Sequence, residues 1–251
     1  MKKYQRLEEI TKMVNQKGTM RISEIVKKLH VTDMTVRRDL AELEEQGVLT
    51  KLHGAARSNT AFQYREISHR EKNTQNVEAK RLIAQKAASL IEEGDTIFLG
   101  PGTTISLLAE EITHKSLSIV TNCWPVFNIL FQKTSPSFQV FLLGGEMREI
   151  TESFVGDITN TTLERMHFSK MFFSANGVKG KSVMTSSVSE AYTQKLALSH
   201  SIERYLLIDS SKIGKEDFTT FASLTNITGI IMDDHETETM RRLRAYTEII
   251  Q

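Results

Sequence analysis

Ten residues, Val31–Leu40 (VTDMTVRRDL), constrain this chain more than any others. They read as the turn and first half of a DNA-recognition helix. Thr32 can cap that helix, its hydroxyl accepting a bond from an N–H of the first turn. Asp33 then places a carboxylate at the positive end of the helix dipole. Val31 and Val36 stand where a hydrophobic staple would place them. Val36, Leu40 and Leu43 share one face at helical spacing. Thr35 and Arg38 point away from that face, with Arg37 beside them. Two arginines on the open face of a short capped helix suit phosphates and guanine edges. Asp39 cannot usefully face phosphates. Either it pairs with a neighbouring arginine and orients it, or it is an ordinary surface aspartate.

The flanks extend this reading. Tyr4–Gln16 has helical spacing, with Leu7, Ile10, Met13 and Val14 on one face and Gly18 as its stop. Ile22, Ile25, Val26 and Leu29 mark a short second helix, with Ser23 as its expected cap. The third helix should run to about Gln46, ended by Gly47. Val48–Thr50 and Lys51–His53 then suggest a small hairpin. Helix, helix, turn, helix and hairpin is the order of a winged helix-turn-helix. A plain three-helix bundle with solvated charges has the same periodicity. The short second helix, the tight turn and the basic residues on both helix and wing favour DNA. The candidate DNA-binding residues are Thr32, Thr35, Arg37, Arg38, Lys51, His53 and Arg57.

Charge separates this module from the rest. The whole chain of 251 residues carries only +1. Residues 1–60 hold 12 Lys/Arg and 8 Asp/Glu, whereas the remainder holds 20 and 23. A basic module joined to an acidic body suits nucleic-acid contact at one end. No apolar run approaches a membrane span, and the N-terminus turns acidic before any signal-peptide core could form. One cysteine, Cys123, excludes an internal disulfide framework and fits a reducing compartment. A cytoplasmic protein is expected. The expected boundaries are a DNA-binding domain over 1–57, a linker over 58–74 and a larger domain over 75–251. The linker is polar but lacks Gly and Pro, and Phe62, Tyr64 and Ile67 are spaced to dock it as an extended strap.

After a helix expected from Gln75 to Glu93, strand-length apolar runs alternate with helical patterns. TIFLG, LSIV, FQVFLL, KMFFSA, RYLLI and GIIM each end in small or polar residues, the last of them in Asp233-Asp234. Helices fit over Ile105–Ile112, Pro125–Gln132 and Ser189–His200. Such alternation implies an α/β domain with a mostly parallel sheet. Ligands of such sheets bind beyond the carboxyl ends of the strands.

The polar residues gathered at those ends are therefore the candidate ligand contacts. Gly100-Pro101-Gly102-Thr103-Thr104 is a tight turn into a helix whose free N–H groups favour a phosphate. A plain strand-to-helix turn capped by threonine would look the same. It is neither a Walker loop nor a dinucleotide fingerprint. Lys212, three residues after Asp209, can neutralise a phosphate, and Arg148 follows Gly144-Gly145. Glu190 and Asp157 are candidate hydroxyl acceptors. The seven histidines, His235 among them, show no metal-ligand spacing, so neither a metal nor another cofactor is expected. Cys123 reads as a buried thiol without a base, and no nucleophile elbow occurs.

TVRRDL followed by LEEQGVLTKLHGAA resembles the signature of the DeoR-type family of bacterial repressors. The match is carried by Arg37, Arg38, Asp39, Leu40, His53, Gly54 and Ala56. It departs at Ala55, where the family usually has glycine. The resemblance extends over the larger domain, implying a ribose-5-phosphate-isomerase-like fold that holds a phosphorylated sugar. The elements it matches there are Gly100–Thr104, Thr121-Asn122, Gly144-Gly145 and the Asp209…Lys212 segment. Together with the strand-end residues Arg148, Asn176, Gly177 and Glu190, the expected effector contacts are Gly100, Gly102, Thr103, Thr104, Thr121, Asn122, Gly144, Gly145, Arg148, Asn176, Gly177, Glu190, Asp209 and Lys212. Within the family the likeness is greatest to regulators of lactose and galactose catabolism, which implies tagatose 6-phosphate as effector. Nothing in the spacing identifies the sugar. The expected function is repression through operator DNA by a homo-oligomer, dimer or tetramer. The alternative is a sugar-phosphate isomerase or deaminase with an appended DNA-binding domain.

Overall fold

The structure, a computed structural model, describes residues 2–59, 68–233 and 238–250. Phe62, Tyr64, Ile67, Asp234 and His235 lie outside the described residues. The chain divides into two units, residues 1–65 and 66–251.

In the first unit, α1 (Lys3–Lys17) ends at Gly18, whose φ of 75° lets its N–H return to the Val14 carbonyl at 2.8 Å. A strand not expected from the sequence, β1 (Thr19–Arg21), comes next. Then α2 (Ile22–Leu29) starts one residue before the expected cap. Ser23 lies inside the helix, and the Glu24 carboxylate instead accepts the Arg21 N–H at 3.1 Å. His30, at φ 53°, turns the chain towards α3 (Asp33–Glu45). There the Thr32 hydroxyl accepts the Thr35 N–H at 3.3 Å, the cap read from the sequence. A helix of this length is marginal alone. Its fully buried Val36, Leu40 and Leu43 pack with Ile10, Val14 and Ile25, each such side chain contributing about 2 kcal/mol.

The wing differs in register from the expected hairpin. β2 (Leu49–Leu52) is one strand, and it pairs antiparallel with β3 (Ala55–Ser58) across a turn at His53-Gly54. The turn falls there because Gly54 can hold its φ of 75°. The third strand, β1, pairs with the far side of β3. Ala55 lies opposite Leu52 and Arg21 with no positive φ. The alanine therefore carries no backbone strain.

Asp39 is not a surface residue. It is 0% exposed, and its partner is Arg6 of α1 rather than a neighbour on its own helix. The Arg6 Nε and Nη2 donate to the two carboxylate oxygens, the second at 3.0 Å. This bidentate pair ties α1 to α3 behind the reading face.

The second unit opens with α4 (His69–Asn73), within the span expected to be linker. Ser68 and Glu71 form a reciprocal capping box, at 3.2 and 3.3 Å. α5 (Val77–Ala88) starts later than expected because Asn76 sits at φ 51°, and it also ends earlier. There follow β4 (Thr96–Leu99), α6 (Thr103–Glu111), β5 (Leu117–Thr121), α7 (Trp124–Phe131) and β6 (Phe138–Leu142). A hairpin of β7 (Glu146–Arg148) and β8 (Ser153–Val155) leads to α8 (Asp157–Leu163) and β9 (Phe168–Phe173). Next come β10 (Gly177–Lys179), β11 (Ser182–Thr185), α9 (Val188–Ser199), β12 (Ser201–Leu207) and a 3₁₀ turn, Ser210–Lys212. The last elements are β13 (Thr219–Ser223), β14 (Gly229–Ile231), α10 (Glu238–Leu243) and β15 (Glu248–Ile250).

Seven strands form one parallel sheet in the order β15-β14-β12-β9-β4-β5-β6. Alternate residues feed opposite faces, so Ile97 and Leu99 pack beneath α5, α6 and α7, while Phe98 faces α9. A small antiparallel sheet, β10-β11-β13, covers part of the α9 side. The strand order reverses between β4 and β9. Such a switch point opens a crevice at the strands' carboxyl ends.

Two stability predictions follow from buried pairs. Asp39→Ala leaves the Arg6 charge buried and uncompensated, which costs about 3 kcal/mol. Hydrogen exchange of the α1 and α3 amides in the full chain should register that loss, and unchanged protection would contradict it. In the second unit, at the amino end of β4, Lys170 of β9 donates to Asp95 at 2.7 Å. Burial alone pushes the Asp95 pKa up. The Lys170 ammonium, the Glu92 N–H and the Ser169 hydroxyl together hold it below the ordinary value. This depressed value makes the contribution complete above about pH 4, the unfolded carboxylate value. It is lost as pH falls through the lower folded value. Urea melts at pH 5 and pH 3 should show wild type losing more stability than Asp95→Asn. Equal losses would contradict the assignment.

Candidate DNA-reading face and effector pocket

The open face of α3 carries its exposed polar groups as one surface. Arg37 and Arg38 are both exposed. Arg37 is tied to Asp33 one turn back, whereas Arg38 has no hydrogen-bond or ion-pair partner among the described residues. Thr35 shares a 2.8 Å hydrogen bond with Thr32. In the wing His53 and Arg57 are exposed, while Lys51 reaches Glu44 at 3.1 Å. Met34, not among the residues expected from the sequence, is 76% exposed on α3. An apolar side chain outside the Val36–Leu40–Leu43 stripe was its signal. In a major groove it can meet a thymine methyl group.

The crevice at the switch point is a pocket of about 780 Å³, its mouth included. β4 delivers Gly102, Thr103 and Thr104 to it, β9 delivers Asn176, β12 delivers Asp209 and Lys212, and α9 delivers Glu190. These seven of the sequence candidates share one wall system. Added to them are residues the sequence reading did not single out: His69 and Lys72 from α4, Gln75, Asn76 and Lys80 around the start of α5, and Thr151, Ser174, Thr185, Gln194 and Phe221. The α4 contributors fall in a segment whose polarity suggests a linker, although Ser68-His69-Arg70-Glu71 bears a capping-box pattern.

The other candidates stand outside the pocket wall, and each has a local role. Thr121 donates to the Leu99 carbonyl at 2.7 Å, and Asn122 donates to the Phe154 carbonyl at 2.8 Å. The Gly144 carbonyl accepts from Thr159, and a side chain at Gly145 would meet that same hydroxyl at 2.2 Å. Gly177 lies under the Lys215 backbone, 2.5 Å from where a Cβ would be. Arg148 stands behind Glu190 at 3.6 Å. Asp157 is exposed in the first turn of α8. Gly100 abuts Gln194.

Three ammonium groups dominate the pocket. Lys72 donates to the Asn176 carboxamide oxygen at 2.7 Å. Lys80, almost fully buried, donates to the Lys72 carbonyl at 2.6 Å. Burial pushes the Lys80 pKa down, Asp209 opposes this, and Lys72 adds repulsion. Lys212 is pushed down to about 8 by burial and by Lys72, against the pull of Asp209. Asp209 itself accepts the Asn76 amide at 3.0 Å and the Ser211 N–H at 3.1 Å, which fixes the turn presenting Lys212. Glu190 accepts the Ser153 hydroxyl at 2.9 Å. His69 is buried, and burial lowers its pKa. Lysines beside the first turn of α6 can gather the oxygens of a phosphate group. Among the described residues no group of three His, Cys, Asp or Glu could hold a metal ion. Cys123 is buried, its thiol pushed up to about 12.

A winged helix-turn-helix followed by a domain with a cationic ligand pocket defines a one-chain regulator. Over residues 6–62 the chain matches the DeoR-like helix-turn-helix domain, and over residues 75–234 the DeoR C terminal sensor domain. It is 64% identical over 250 residues to the lactose phosphotransferase system repressor of Streptococcus mutans serotype c, covering 100% of both chains. The repressors of the same name from Staphylococcus epidermidis and Staphylococcus aureus are 62% and 59% identical, again with 100% of both chains covered. Among solved structures, ribose 5 phosphate isomerase A from Neisseria gonorrhoeae is similar at 19% identity, with a TM-score of 0.40 over 56% of this chain and 55% of that one. The chain belongs to the DeoR family.

Exposure, and the lack of a partner among the described residues, single out Arg38 on the reading face. Arg38→Ala should weaken operator binding by roughly 1–3 kcal/mol if it reads a base. A gel shift at matched salt checks this, and unchanged affinity would remove Arg38 from the readout.

Proposed function

We propose that the protein represses an operon of lactose and galactose catabolism and is released from its operator by tagatose 6-phosphate held in the sensor pocket. The observation that carries the ligand reading is the meeting of Lys72, Lys80 and Lys212 at the carboxyl ends of β4, β9 and β12. Three ammonium groups facing one cavity are repulsive until an anion enters. Asp209, the carboxylate that acts on both Lys80 and Lys212, is engaged by Asn76 and Ser211. A phosphate dianion matches the charge, and the remaining polar wall of Glu190, Gln194, Thr185 and Ser174 suits the hydroxyls of a sugar.

The relatives' names support the lactose assignment, and with it a regulator rather than an isomerase. Release requires the sugar phosphate to bind the DNA-incompetent state more tightly than the DNA-bound one. Operators built from repeated half-sites need several helix-turn-helix modules, so the working form is a homo-oligomer, dimer or tetramer. No described helix is long and apolar enough to cross a membrane, in keeping with a cytoplasmic regulator.

The Lys212 pKa of about 8 gives the proposal a pH signature. A bound dianion favours the charged ammonium, so binding takes up a proton near and above that pH. The phosphate is itself dianionic above about pH 6. Affinity for tagatose 6-phosphate should therefore be greatest between these values and fall as pH rises through about 8. Isothermal titration across this range tests it. Lys212→Met should bind more weakly and lose the alkaline fall. Wild-type affinity that stays flat above pH 8, or no binding at all, would contradict the proposal.

A further inference from the structure

Most polar side chains around the pocket are already engaged by the protein. Glu190 takes hydroxyls from Ser153 and Thr185, Asn176 joins Lys72 to Ser186, and Asp209 takes Asn76. Gln194 is different. It lies on α9, 5% exposed, and is one of the residues lining the pocket. Its Oε1 is buried and has no hydrogen-bond partner among the described residues. A buried acceptor without a donor is costly and uncommon.

The chemistry of the missing partner follows from its polarity. The phosphate monoester dianion of a sugar phosphate brings only acceptors and cannot satisfy an amide oxygen. A hydroxyl brings a donor, and a neighbouring hydroxyl on the same ring can accept from the amide nitrogen. Gly100 supplies the second observation. A Cβ there would stand 2.9 Å from Gln194 Nε2 and 3.0 Å from Oε1. The glycine has no left-handed backbone to explain it, and what it leaves open is the seat of this amide.

We propose that Gln194 is the specificity-determining residue of the pocket. Its carboxamide binds hydroxyls at the sugar end of the ligand, and Gly100 holds the space that keeps the amide in place. This rests on reading the pocket as a sugar-phosphate site. It adds a division of labour: the lysines bind the phosphate whatever it is attached to, and Gln194 reads what is attached.

Two variants of the full chain test the division. Gln194→Ala removes the amide. Gly100→Ala adds one methyl group against the far end of a flexible side chain, which can move aside without disturbing the backbone. Thermal unfolding checks that both remain folded. Isothermal titration with tagatose 6-phosphate should show each variant binding about tenfold or more weakly than wild type. Thermal stabilisation by inorganic phosphate should match wild type in both. Variants that bind the sugar phosphate as wild type does would overturn the role of Gln194 while leaving the phosphate site standing. Equal losses for sugar phosphate and inorganic phosphate would also overturn it, because the amide would then not distinguish the two ends. Wild-type protein that binds neither probe would overturn the pocket reading, and this assignment with it.

Discussion

Like charges held close together in a half-closed crevice are the constraint on which the sensor unit turns. Lys72 from α4, Lys80 from α5 and Lys212 from the turn after β12 line one cavity. Bringing them out of water is unfavourable, and the lowered pKa values of Lys80 and Lys212 record that cost. The fold meets it in part with Asp209 and with backbone and side-chain oxygens, such as the Lys72 carbonyl that receives Lys80. In the proposed reading a phosphate would supply the remaining negative charge, and ligand energy would be concentrated where these ammonium groups are least satisfied by the protein itself.

That concentration bears on how a pocket can govern a DNA reader in the same chain. Lys72 and His69 stand on α4, the first described element after residues 60–67. The α4 helix is short and is held by a few specific bonds: its capping box, the His69 N–H to the Ile150 carbonyl at 2.7 Å, and Lys80 at its C-terminal turn. A ligand that draws on Lys72 therefore acts on the segment nearest in sequence to the helix-turn-helix domain. Each tenfold preference of the ligand for one state over another shifts the balance by about 1.4 kcal/mol. A few hydrogen bonds at α4 are of that order.

Much of this was legible in the amino-acid order, because local rules set it. The Thr32 cap, the Val36–Leu40–Leu43 stripe and the strand-length runs ending in polar residues all depend on near neighbours. The parallel sheet followed from alternation of strand and helix, and the pocket's place followed from the sheet. What escaped depends on distant pairings. Asp39 meets Arg6, 33 residues away. Thr121, Asn122, Gly144 and Gly145 look like ligand contacts at strand ends, yet they are engaged in hydrogen bonds and packing with β4, β8 and α8. Gln194 sits in an unremarkable helical repeat, and only the folded chain sets it against Gly100. The α4 wall is the exception, since its capping-box pattern was in view and was outweighed by the polarity of the residues before it.

The central claim is that one ligand in this pocket opposes DNA binding by the same chain. Thermodynamic linkage makes that claim reciprocal: the factor by which tagatose 6-phosphate weakens operator binding must equal the factor by which operator weakens tagatose 6-phosphate binding. The direct measurement is fluorescence anisotropy of an operator duplex, selected by the protein from a random pool, titrated with and without saturating tagatose 6-phosphate at fixed salt. The account predicts at least about tenfold weaker DNA binding with the sugar phosphate present, in the range of typical coupling energies. Operator affinity unchanged by a sugar phosphate that demonstrably occupies the pocket would contradict it.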